Sequence, residues 1–182
     1  MQKINYFEAL ETLAQECSRA IFLSLENTRS KLINALKECE KIQLKATQSV
    51  CDLEMLLFSD FLPPIERHTI AELSHSLLDI IEKTIYIMCQ KIQRPPSEKM
   101  QKYASELKEI SQMIEESVAM LKKVRKPNQT PDISKFREKI HETRKVLRVP
   151  CKKHSSQPLI YELCEDISKL FDKIIEIMLC NI

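Results

Sequence analysis

Ile70-Ala71-Glu72-Leu73-Ser74-His75-Ser76-Leu77-Leu78-Asp79-Ile80-Ile81-Glu82-Lys83-Thr84-Ile85-Tyr86-Ile87-Met88-Cys89-Gln90-Lys91-Ile92 carries an unbroken helical period. Apolar residues return at three- and four-residue steps along two adjacent stripes. One stripe is Ile70, Leu73, Leu77, Ile80, Thr84 and Ile87; the other is Leu78, Ile81, Ile85, Met88 and Ile92. A face that broad predicts a central helix with neighbours on two sides. Part of this stretch also occurs twice. Glu82-Lys83-Thr84-Ile85-Tyr86-Ile87-Met88 matches Asp172-Lys173-Ile174-Ile175-Glu176-Ile177-Met178 at a spacing of 90, about half of the 182 residues. Four of the seven pairs are identical, and the first pair is acidic in both. A three-helix unit occurring twice accounts for the spacing.

Composition points the same way. The chain contains no glycine. Average usage of about 7% would put roughly 13 in a chain this long. Without glycine, two-residue β-hairpins and phosphate-cradling Gly-rich loops are disfavoured. The expectation is an all-α protein whose polar sites are built from side chains on helices. Proline punctuates instead, at Pro63-Pro64, Pro95-Pro96, Pro127, Pro131, Pro150 and Pro158. Asn27 to Ser30 gives a further break, with Asn27 or Ser30 as N-cap.

Six helices follow, at about 4–26, 30–60, 66–93, 97–125, 132–149 and 158 to the C-terminus. Their expected core stripes are Leu10, Leu13, Cys17 and Ala20; Leu32, Leu36, Cys39, Ala46, Val50, Leu53 and Leu57; Met100, Tyr103, Leu107, Ile110, Ile114, Val118, Leu121 and Val124; and Leu163, Ile167, Leu170, Phe171, Ile174, Ile175, Met178 and Ile182. Short connections predict antiparallel consecutive helices. The organisation is one domain, residues 1–182, with repeat one at about 1–94 and repeat two at about 95–182.

Charge excludes some functions. Twenty-eight basic and 26 acidic residues leave a net charge of +2, too balanced for electrostatic nucleic-acid binding. Aromatics make up 5% and there is no tryptophan, so no base-stacking platform is expected. No apolar run of membrane-spanning length and no signal-peptide pattern is present, which predicts a cytoplasmic protein. The seven cysteines, Cys17, Cys39, Cys51, Cys89, Cys151, Cys164 and Cys180, are odd in number and show no CxxC spacing. They read as reduced, mostly buried thiols rather than a disulfide framework or a zinc site.

Phe61-Leu62-Pro63-Pro64-Ile65-Glu66-Arg67, followed by Thr69-Ile70-Ala71-Glu72-Leu73 and Leu77-Leu78-Asp79, resembles the Pro-Ile-Asp-Arg turn and following helix of the PhoU-like family. The resemblance is to its branch associated with low-affinity inorganic phosphate permeases. It extends over residues 50–90 and, more weakly, Tyr161 to Met178. It implies a six-helix bundle of two tandem three-helix repeats. It also implies a cytoplasmic accessory or regulatory protein of phosphate transport. Its partner would be the cytosolic face of a phosphate permease or a signalling protein, with peripheral membrane contact at most. The broad apolar faces also allow a homodimer.

The family places acidic residues at i and i+4 on the second and third helix of each repeat, where carboxylates share a face and hold metal ions. This chain departs from that pattern. Gln43 or Lys45 and Thr47 stand at the expected acids of helix two, Leu78 at the first of helix three, Ser168 at the first of helix six, and Arg144 and Arg148 on helix five. Asp79, Glu82, Glu162 and Asp172 remain, as remnant ligands for a transition-metal ion (Fe, Zn, Mn or Ni) or as solvated acids and salt-bridge partners. No catalytic constellation and no resident cofactor are expected. Two alternatives share the helical class. One is a ferritin-like metal protein using Glu72 with His75 and Glu138 with His141, both Glu-x-x-His. The other is a helical adaptor unrelated to phosphate. His75 and Asp79, at i and i+4, predict a local hydrogen bond. Lys122-Lys123-Val124-Arg125-Lys126 and Lys152-Lys153-His154 read as helix-end charge and solvated loop.

Overall fold

A computed structural model describes residues 5–26, 28–59, 63, 65–93, 104–124, 134–135, 137–142, 145 and 158–180. The helices are α1 (Tyr6–Ser24), α2 (Arg29–Ser59), α3 (Arg67–Gln93), α4 (Ala104–Val124), α5 (helical at the described positions of 134–145) and α6 (Pro158–Cys180). Among the described residues there is no strand, and no residue has positive φ. The missing glycines are therefore not missed, because nothing described needs a left-handed backbone.

Local chemistry sets the helix starts. Asn5 caps α1, its Oδ1 accepting from Phe7 N at 3.1 Å. For α2 the cap position is Thr28, whose carbonyl accepts from Leu32 N at 2.8 Å. That corrects the assignment to Ser30, which lies inside the helix; Asn27 lies outside the described residues. Glu66 opens α3, its carbonyl accepting from Ile70 N at 3.2 Å. The expected start of helix four at 97 and the 150–157 segment fall outside the described residues.

Cross-helix pairs fix the topology. Arg19 meets Glu38, Glu16 meets Lys45, and the Tyr6 hydroxyl donates to the Leu56 carbonyl, so α1 and α2 are antiparallel. Gln43 with Glu82 and His75 with Glu54 make α2 and α3 antiparallel. Lys122 with Glu11, and Lys108 over the Phe22 ring, do the same for α1 and α4. Helices α1, α3, α6 and α4 form a ring in which each touches the next, and α2 lies over α1 and α3. The described part of α5 meets α4 through Lys139 and Glu116 and buries Ile140.

One continuous core fills this ring, from Leu10, Leu13 and Ile21 through Leu77, Ile80 and Ile81 to Phe171 and Ile174. The first stripe of α3 is buried throughout, whereas Leu78, Ile85 and Ile92 of the second are half-buried. Buried hydroxyls are satisfied within their own helices: Thr84 donates to Ile80 O at 2.7 Å, and Ser117 donates to Met113 O. The cysteines divide evenly rather than being mostly buried. Cys17, Cys39 and Cys164 are buried, Cys89 is half-buried, and Cys51 and Cys180 are exposed; none of these six forms a disulfide, and Cys151 lies outside the described residues.

Candidate functional site

Helices α3 and α6 meet along a contact with its own internal symmetry. From 72 to 88, every position of α3 is buried, half-buried or exposed in step with its counterpart 90 residues later, at 162 to 178. The charged groups repeat the relation. Lys83 of α3 reaches Glu162 of α6 at 3.7 Å, and Lys173 of α6 reaches Glu72 of α3. Adding 90 to Lys83 gives Lys173, and adding 90 to Glu72 gives Glu162, so each pair is the image of the other. This reciprocity is what a two-fold relation between antiparallel helices requires.

A groove of about 670 Å³ runs along this contact, lined by Ser76, Asp79, Glu82, Lys83 and Tyr86 of α3 and by Leu159, Asp166 and Lys169 of α6. Ser76 with Asp166, and Asp79 with Lys169, are again 90 apart, so the groove straddles the two-fold relation. Its charges are interleaved. Lys83 pairs with Asp166 as well as Glu162, and Lys169 lies 3.7 Å from Asp166. Burial pulls the Lys83 ammonium down, but bonds and charge from Asp166 and Glu162 outweigh it and hold its pKa above the usual lysine value. A hydrogen bond from Lys173 holds the Glu72 carboxyl below the usual carboxylate range, and the same bond raises Lys173.

The four expected acids do not form one cluster. Asp79 and Glu82 line the groove, Glu162 pairs with Lys83, and Asp172 is an exposed α6 residue with a partner of its own. Glu82 accepts from Gln43 Nε2 of α2 at 3.1 Å. Lys45 pairs with Glu16 of α1. Among the described residues, no three His, Cys, Asp or Glu side chains stand close enough to share a metal ion.

Glu72, His75, Glu138 and His141 are all exposed, so these residues build no inward Glu/His site. His75 bonds Glu54 of α2 at 2.8 Å instead of Asp79, a correction to the intrahelical pairing. The spacing of Glu72 from Glu162 was present in the sequence and is the signal that finds the reciprocal ion pairs.

Fold and site together define a class: an all-α bundle with a charged, lysine-bridged groove between two equivalent helices. No protein-family model matches the chain and no curated protein matches it. None of the described helices is long and apolar enough to cross a membrane.

Proposed function

We propose that this chain is a cytoplasmic accessory or regulatory protein of inorganic phosphate transport. It works by binding the cytosolic face of a phosphate permease, or a signalling partner, and not by catalysis. The reading rests on the resemblance to the PhoU-like family. The observation that carries it furthest is the reciprocal pairing of Lys83 with Glu162 and Lys173 with Glu72, which supports a duplicated three-helix unit. In that organisation two of the acids the resemblance marks as remnants are held by other side chains, Glu82 by the Gln43 amide and Glu162 by Lys83, which favours a degenerate metal function. The α3–α6 groove then offers a charged, preformed surface to a partner.

The test is uptake of labelled phosphate in cells whose phosphate enters by a low-affinity permease, with the chain present, deleted and restored. A changed uptake rate on deletion, recovered by restoration, is expected. Unchanged uptake would sink the phosphate reading and leave a helical adaptor unrelated to phosphate. Elemental analysis of protein purified without chelators addresses the metal separately, with metal well below one per chain expected.

A further inference from the structure

Helix α2 buries Leu32, Ala35, Cys39, Ile42, Ala46, Val50, Leu53 and Leu57 against α1 and α3. Its opposite face is not simply polar. Ile33 is 39% exposed, Leu44 76%, Met55 62% and Phe58 90%. Ile33, Leu44 and Met55 are spaced by 11 residues, three helical turns, and so form one straight outer stripe, which Cys51 and Phe58 join.

We infer that this stripe is the contact through which two copies of the chain associate, with the two α2 helices antiparallel about Leu44. Three features select a second copy. First, Leu44 is the midpoint of the 31-residue helix, so a two-fold axis there overlaps both helices end to end. Second, the stripe is self-complementary about that point. Leu44 meets Leu44, and Ile33 meets Met55, since each lies 11 residues from the centre. Third, the charges match in this direction only. The first half of α2 carries Arg29, Lys31, Lys37 and Lys41 against Glu38 and Glu40; beyond Leu44 the charged residues are Lys45, which pairs with Glu16 of α1, Asp52, and Glu54, which pairs with His75 of α3. Antiparallel pairing sets each basic half against an acidic half and brings Lys37 beside Asp52 of the other copy; parallel pairing opposes like with like. The acidic end, where Phe58 is most exposed, also disfavours an anionic membrane as occupant.

A 31-residue helix is about 46 Å long and about 10 Å wide, so two copies bury about 900 Å², below the roughly 1,200 Å² of a stable specific interface and in the range of weak, reversible contacts. The inference does not depend on the phosphate reading, and neither result bears on the other.

Sedimentation equilibrium of the full chain across low to high micromolar concentration tests it. A monomer–dimer equilibrium is expected. Leu44→Lys should raise the dissociation constant about 100-fold or more, because it removes an apolar contact and opposes two charges. Leu179→Lys, at an exposed site on α6, should leave it unchanged. Lys37→Glu should weaken the dimer about 3–10-fold, and adding Asp52→Lys should restore it. Circular dichroism checks that each variant keeps its helices, as exposed positions allow. A chain that stays monomeric throughout, or a dimer indifferent to Leu44→Lys, overturns the proposal. Failure of Asp52→Lys to rescue Lys37→Glu overturns the antiparallel register.

Discussion

Lys91 on α3 donates from Nζ to the Ser24 carbonyl, 2.5 Å away, and so closes the last turn of α1. A helix ends with unsatisfied carbonyls, and a cation placed there meets both the hydrogen-bond need and the dipole. The lysine is half-buried there, and burial holds its pKa below the usual lysine value of 10.5.

That shift sets the sign of one pH effect. A lysine whose folded pKa is depressed binds protons less readily in the folded state. Its burial penalty is fully present below the folded value and is relieved as pH rises toward 10.5. Urea midpoints of the wild type should therefore gain relative to those of Lys91→Met as pH climbs from about 8 to about 10.5. Parallel pH profiles for the two proteins would show that the ammonium carries no such penalty.

The thiols should separate by environment. Burial, with the nearby Glu38 carboxylate, pushes Cys39 up to about 12, and burial with Glu115 pushes Cys17 up as well. Cys51 and Cys180 are exposed. An aromatic disulfide reagent at mildly alkaline pH should label Cys51 and Cys180 quickly in the native protein. Cys17 and Cys39 should wait for unfolding, because the thiolate is the nucleophile. Peptide mapping of the labelled sites reads the outcome, and early labelling of Cys39 would mean that α2 opens locally.

Much of the fold was legible because period and punctuation are local. The α3 stripe from Ile70 to Ile87 is buried as its spacing demanded, and the match of Glu82–Met88 with Asp172–Met178 extends into a shared burial register. What stayed hidden depends on which helix lies beside which. His75 has Asp79 one turn away in sequence, but α2 presents Glu54 at 2.8 Å, and a neighbour in space won. Cys51 looks like a core residue by type, yet its register puts it opposite Val50 and Leu53, outside. Thr28 supplies the α2 cap from a stretch where Asn27 and Ser30 were equally good by propensity. The lysine bridges of the α3–α6 groove join residues far apart in the chain, so only the internal repeat could reveal them.

The repeat also ranks core substitutions. Phe171 is fully buried and stands 90 residues after Ile81, which is also fully buried. Phe171→Ala should cost about 3–5 kcal/mol, from lost transfer energy plus the cavity left in a packed site. Phe171→Ile, which installs the residue found at the equivalent position, should cost markedly less. Equal losses for the two variants in urea denaturation would show that volume at this site is irrelevant.

The reciprocal ion pairs make the last prediction. Lys173→Glu places a carboxylate beside Glu72 and Glu176, and Lys83→Glu places one beside Asp166 and Glu162, so each should lower the melting temperature. Adding Glu72→Lys to Lys173→Glu re-forms the pair with its sign reversed and should recover most of that loss; Glu162→Lys should recover less of the Lys83→Glu loss, because Asp166 still faces residue 83. The pH dependence follows from the same contacts. The Lys173 bond holds the Glu72 carboxyl below its ordinary value of 4.5, so its contribution is present above that value and is lost as pH falls through the folded value. Lys173 lies above 10.5, so its share persists below 10.5 and disappears only as pH rises through its folded value. Urea midpoints taken from about pH 5 down to about pH 2 should fall more steeply for the wild type than for Glu72→Gln, which has already lost the pair. Matching acid limbs for the two proteins would mean that the Glu72–Lys173 bond does not persist in solution.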